Sequence, residues 1–192
     1  MAVKLLSSSG GSVTLDVGVT ASNFALTVPS ANGTVITTGS TGQVIPKAAL
    51  PTGSVLQVVS VSTTSRTVTT STSFVDCTNV TASITPTSST SKILILVTAS
   101  GLLRPSNAGE SVSLRLLRSA TTIFEQTNIM FSGSTNLDLV CSSNMIYLDS
   151  PATTSSTTYK LQFRSRLGAG SVYINQDNGG DVSSITLMEI AA

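Results

Sequence analysis

Thr158-Tyr159-Lys160-Leu161-Gln162-Phe163-Arg164 alternates without a break, with Tyr159, Leu161 and Phe163 on one side of an extended chain and Lys160, Gln162 and Arg164 on the other. A period of two is the pattern of a strand with one face in a core and the other in water. Upstream, Val112, Leu114 and Leu116 oppose Ser113 and Arg115 in the same way. Working outward, strand signals recur at short spacing: Val55 to Val61, Val80 to Thr85, Lys92 to Ala99, Ser111 to Arg118 and Thr121 to Gln126. Four more follow, Leu137 to Tyr147, Thr158 to Arg166, Ser171 to Asn175 and Ser183 to Ile190. Ile93 to Val97 is wholly aliphatic and reads as a strand buried on both faces. No ten-residue amphipathic helix interrupts the series. The expected fold is therefore all-β, an antiparallel β-sandwich of the jelly-roll type, with strand order left open.

The amino-terminal segment has strand periodicity without enough apolar mass for a core. Val13, Leu15, Val17 and Val19 alternate along one face, and Phe24, Leu26 and Val28 do so again before Pro29 and the Asn32-Gly33 turn signal. Isolated hairpins are marginal in water, so this stripe needs a partner. An intertwined trimeric shaft provides one, with the seven side chains turned to a common axis. Packing against the downstream domain of the same chain is the alternative. Pro46 and Pro51 fix φ and remove donors, marking a connector. The expected organisation is a shaft or virion-attachment arm over 1–42, a neck over 43–53 and a knob over 54–192.

Charge separates the chain again. Of nineteen Lys, Arg, Asp and Glu residues, only Lys4, Asp16, Lys47, Arg66 and Asp76 fall in the first ninety-one positions. The charged fraction is 10%, against about 25% for ordinary soluble domains, so much of the exterior is expected to be covered by copies of the same chain. Hydrophobic residues at 40% and a mean hydropathy of +0.34 oppose disorder. A net charge of +1 without a basic run gives nucleic acid little to bind. The stretch Ile93 to Val97 is far below the ~20 residues of a membrane-spanning helix, so no membrane insertion is expected. Met1-Ala-Val-Lys-Leu-Leu-Ser lacks the length of a signal-peptide core. Cys77 and Cys141, far from any CxxC spacing, read as small buried hydrophobes rather than a disulfide, although pairing stays open.

Histidine is absent from all 192 residues, which removes the usual general base, the usual zinc ligand and the Ser-His and Cys-His nucleophile arrangements. Two carboxylates would suffice for a glycosidase, but Asp138, Asp149, Asp177, Asp181 and the three Glu residues show no distinctive pairing. Asp177-Asn-Gly-Gly-Asp181 has the oxygen-rich make-up of a calcium loop without its spacing, and reads as a turn between the last two strands. Gly168-Ala-Gly170 precedes a strand rather than a helix and reads as a hairpin. Asn32-Gly-Thr and Asn79-Val-Thr match a glycosylation pattern by chance in a Thr-rich chain. No enzyme, catalytic residue, metal or cofactor is expected.

Gly11-Ser-Val-Thr-Leu15, Asn23-Phe-Ala-Leu-Thr-Val-Pro29 and Asn32-Gly-Thr-Val-Ile-Thr-Thr-Gly39 resemble the shaft-entry repeats of bacteriophage tail fibres. Ile45-Pro-Lys-Ala-Ala-Leu-Pro51 and its continuation to Val59 resemble the neck of such fibres. Leu114-Arg-Leu-Leu-Arg118, Tyr147-Leu-Asp-Ser-Pro151, Thr158-Tyr-Lys-Leu-Gln-Phe163 and Leu187-Met-Glu-Ile190 look like pieces of fibre knobs, especially from cyanophage-like genomes. The resemblance implies a homotrimeric virion protein, assembled in the host cytoplasm, with a β-sandwich head. Its expected partners are itself, a tail or baseplate adaptor or the major capsid protein, and a host surface glycan or protein. The short shaft leaves two roles open, a tail fibre engaged in host attachment and a capsid decoration or cement trimer. For attachment, the polar knob loops carrying Arg104, Asn107 and Glu110, and Asn128 and Asn136, are the expected receptor-facing positions.

Overall fold

A computed structural model describes residues 3–6, 12–15 and 50–192 apart from 107, 132, 134–136 and 178. The chain divides into two compact units, Met1–Val44 and Ile45–Ala192. In the first, β1 (Val3–Leu6) pairs antiparallel with β2 (Ser12–Leu15), Val3 opposite Leu15 and Leu5 opposite Val13. β2 falls within the alternating stretch read from the sequence, whereas β1 lies in residues that read only as a brief apolar patch. Of the expected shaft positions, Val13 and Leu15 are in β2, and Val17, Val19, Phe24, Leu26 and Val28 lie outside the described residues.

The second unit contains β3 (Val55–Thr63), β4 (Thr67–Thr69), β5 (Val75–Ile84), β6 (Lys92–Arg104), β7 (Val112–Arg118), β8 (Thr121–Ile129), β9 (Leu139–Asp149), β10 (Thr157–Ser165), β11 (Val172–Ile174) and β12 (Ser183–Ile190). One sheet has the order β5-β10-β7-β8. In the other, β12 lies between β3 and β6, and β9 runs along the opposite edge of β6, giving β3-β12-β6-β9. β11 and β4 extend this second sheet beyond the register shift in β6 between Ala99 and Leu102. Two four-stranded sheets that exchange strands in this order have the wiring of a jelly roll.

Alternation decides which side chains meet between the sheets. Tyr159, Leu161 and Phe163 of β10, with Leu114 and Leu116 of β7, face Ile93, Ile95 and Val97 of β6 and Ile185 and Leu187 of β12, all 2% exposed or less. Each side chain of that size contributes about 1.5–3 kcal/mol on burial. Leu94 and Leu96 correct one expectation. They are half-buried on the outer face while Ile93 and Ile95 are at 0%, so β6 faces one core and not two. Its aliphatic outer face is shielded in part by side chains of β12 and β9 on either edge.

The strand directions collect the connections at two ends. The connections that follow β3, β6, β8 and β10 start and finish at one end, which carries the long loops, together with β4 and β11. Residues 85–91, 119–120 and 150–156 lie at the other, where the chain enters β3 and leaves β12, with Gly53 N–H donating to the Ala191 carbonyl at 2.8 Å. Gly168-Ala-Gly170 is not a hairpin: it carries the chain from β10 in one sheet to β11 in the other. Among the described residues no helix is long and apolar enough to cross a membrane.

Candidate functional site at the long-loop end

The segments 105–111 and 166–170 are joined by one carboxylate. Glu110 Oε1 accepts from the backbone N–H of Arg166 at 2.8 Å, Ser111 at 3.0 Å and Leu167 at 3.1 Å, and Oε2 accepts from Ala169 N–H at 3.0 Å. Burial pushes the Glu110 carboxyl up, but the Leu167 and Ser111 N–H groups, the Ser165 hydroxyl and the Ala169 N–H together hold it below the ordinary glutamate value. Arg166 continues the link outward. Its guanidinium donates to the Gly109 carbonyl at 2.6 Å and sits 5.1 Å from the centre of the Phe131 ring, tying Phe131, just past β8, to the other two segments.

Under these loops, Asn175 adopts a left-handed backbone and is wholly buried. Its amide donates to the carbonyls of Thr63 and Ser65, each at 3.1 Å, and accepts from the Ser183 hydroxyl at 2.7 Å. The ends of β3, β11 and β12 are fixed by one side chain. The Asp177–Asp181 turn closes on itself, Asp181 Oδ2 accepting from Asp177 N–H at 2.8 Å, so the oxygen-rich sequence serves its own backbone. Among the described residues no group of three His, Cys, Asp or Glu side chains gathers as a metal cluster.

The receptor-facing expectation is corrected at two positions. Arg104 and Glu110 are at 0% exposure, Arg104 donating to the Pro105 carbonyl and Glu110 held as above. A polar, glycine-containing loop reads as exposed from sequence, yet here its first and last ionisable groups are buried, and the Glu110 carboxylate is satisfied by backbone. Asn128 is exposed with φ of 58°, but it lies near the end of β8 and not in a loop. Asn107 and Asn136 lie outside the described residues. What this end does expose was missed: Phe131 at 56% and Leu167 at 51%, beside the Arg166 guanidinium. Two large apolar residues in otherwise polar loops were the available signal. A cavity of about 440 Å3 also opens at this end, lined by Arg66, Leu103, Pro105, Asp138, Tyr173 and Gln176 among others. Arg66 lies 5.7 Å from the Tyr173 ring centre. A ring, a guanidinium, a carboxylate and an amide around a shallow opening are groups that bind polar ligands by stacking and hydrogen bonds.

Two more of the carboxylates considered for catalysis have structural partners. Asp149, 5% exposed, accepts from Arg118 at 2.8 Å and from the Tyr159 hydroxyl at 2.7 Å. Glu189 accepts from Thr87 N–H at 2.7 Å and from Gln57 at 2.6 Å. The two thiols are free and sit in different sheets, Cys77 in β5 and Cys141 in β9, and burial raises the pKa of each.

No family model matches the chain, and no curated protein does. Among solved structures it is similar to the VP2 subviral particle of infectious bursal disease virus, at 15% identity and a TM-score of 0.35, over 71% of this chain and 38% of that one. It is likewise similar to T=1 particles derived from the same virus, at 13% identity and a TM-score of 0.37, over 78% and 40%. The chain thus spans about two-fifths of those chains, and at these values the likeness carries no functional inference.

Proposed function

We propose that the chain is a structural virion protein, a homotrimeric bacteriophage tail fibre that takes part in host attachment. The observation that carries this reading is the polarity of the jelly roll. The chain enters at the short-loop end, beside Ala191, while the four long connections gather at the opposite end and present Phe131, Leu167, Arg166 and the cavity beside Tyr173. A fibre needs that separation between the end that joins the particle and the end that meets a surface. Support also comes from the low charge, the absence of histidine and the structural use of Glu110, Asp149 and Glu189, which together favour binding and assembly over catalysis. The target is a polar host-surface ligand, a glycan or a protein.

Phage carrying Phe131→Ala with Leu167→Ala, or Asp138→Ala with Gln176→Ala, should assemble normally and adsorb to host cells at least tenfold more slowly. Unchanged adsorption by both double variants would remove the attachment role. Counting chains per virion separates the remaining roles: tens of copies accord with a tail fibre, and hundreds would make the protein a capsid decoration trimer.

A further inference from the structure

The two sheets differ in what they show to the outside. On β5-β10-β7-β8, one row across the strands is Asp76, Gln162, Arg115 and Glu125. Gln162 also bonds Asp76, Arg115 donates to Gln162 at 2.7 Å, and Lys160 pairs with Asp76 at 3.0 Å. This outer face is built to meet water.

The outer face of β3-β12-β6-β9 carries one charged group, Lys92 at the start of β6, and none in its three central rows. Its register places Val58, Met188, Leu94 and Leu148 in one row, Ser60, Thr186, Leu96 and Ile146 in the next, and Ser62, Ser184, Thr98 and Asn144 in a third. None of the twelve carries a charge. Val58 is 55% exposed, Leu148 50% and Ile146 65%, and the strand order brings them into continuity with half-buried Leu94, Leu96 and Met188. Contiguous apolar area of this kind marks a contact surface.

We propose that this face is where the knob packs against a second copy of the same chain, a proposal that rests on the trimeric reading above. The choice of occupant follows from charge. Where a face turns towards a shared symmetry axis, ionisable groups close to that axis are brought near copies of themselves, so a face whose central rows are free of charge, with Lys92 only at its edge, suits self-association. The charged sheet on the other side of the same sandwich would face the repulsion. Area sets the strength. Four strands about 4.8 Å apart and three rows about 7 Å apart cover on the order of 400 Å2. That is about half of the ~800 Å2 each partner buries in a standard interface, so the face joins copies held at high effective concentration by their amino-terminal segments.

The test uses the full-length chain with a photoreactive phenylalanine analogue in place of Ile146, and in a second variant in place of Glu125 on the charged sheet. Illumination should give covalent multiples of 19.6 kDa from position 146 and none from position 125. Ile146→Lys, checked for an unchanged circular dichroism spectrum, should raise the dissociation midpoint in sedimentation at least tenfold. An assembled wild type with no cross-link from position 146 overturns the face and leaves the trimer standing. A wild type with the mass of two chains that cross-links at 146 keeps the face and removes the trimer. A solitary wild type removes both, and cross-linking at 146 to a different protein in purified virions overturns the choice of occupant.

Discussion

The Glu110 carboxylate accepts four backbone N–H groups from two loop segments, so its ionised form is favoured in the fold over the unfolded chain. Glu189 is held below its ordinary value likewise: burial pushes it up, and Thr87, Gln57 and Ser91 outweigh that. A carboxyl with a depressed folded value stabilises fully above the unfolded value of 4.5 and loses that contribution as pH falls through the folded value. Thermal melts should therefore change little from pH 7 to 5 and fall steeply below 4.5. Glu110→Gln should lower stability at pH 7 by about 2–3 kcal/mol, because a carboxamide NH2 then faces backbone donors. Its gap from the wild type should close towards pH 3, and a gap constant across that range would show that ionisation of Glu110 is not the source. Gly101 is a second single-residue constraint. Its φ is +55°, and a Cβ there would lie 2.0 Å from Asp181 Oδ2. Gly101→Ala should cost about 2–3 kcal/mol in denaturant unfolding and expose the amides of 175–182 to hydrogen exchange. The added substitution Asp181→Ala should recover part of that loss, since the two sites share one clash.

At the scale of elements, β7, β9 and β10 are joined through Asp149, which takes Arg118 from β7 and the Tyr159 hydroxyl from β10 across the sandwich. Tyr159→Phe should cost about 1.5–2 kcal/mol, and combining it with Asp149→Asn should cost clearly less than the sum of the single changes in urea unfolding; strict additivity would mean that the two side chains do not act as a pair. The sequence carried the long strands well, because their period of two is written in consecutive residues: Tyr159, Leu161 and Phe163 are all at 0% exposure, as their alternation requires. It did not carry the three-residue β4, too short to show a period, nor the first half of β5, where Asp76, Thr78 and Asn79, the last with φ of 60°, hide a strand among turn-forming residues. Tyr159 read only as part of an apolar stripe, and nothing local announces its bond to Asp149. The long-loop end was legible in its polar segments and not in its outcome. Whether Glu110 points to water or to backbone depends on residues 166–169, more than fifty positions away.

For the whole molecule, the question is where the stability of an assembly resides. The unit Ile45–Ala192 has a closed apolar core between its sheets, which is enough for it to fold without help from other copies. The three uncharged rows on its outer face, on the order of 400 Å2, are too small to hold copies together firmly alone. If the seven apolar positions from Val13 to Val28 pack in a three-chain shaft, the shaft supplies the rest, and removing residues 1–44 should leave the melting temperature of the knob nearly unchanged while lowering its mass in sedimentation to that of one shortened chain, about 15 kDa, at micromolar concentration. The full chain under the same conditions should sediment near three times its own 19.6 kDa. A truncated chain that remains trimeric would place the whole of the assembly energy on the knob and remove the shaft. A truncated chain that fails to fold would mean that the amino-terminal stripe packs on its own downstream domain.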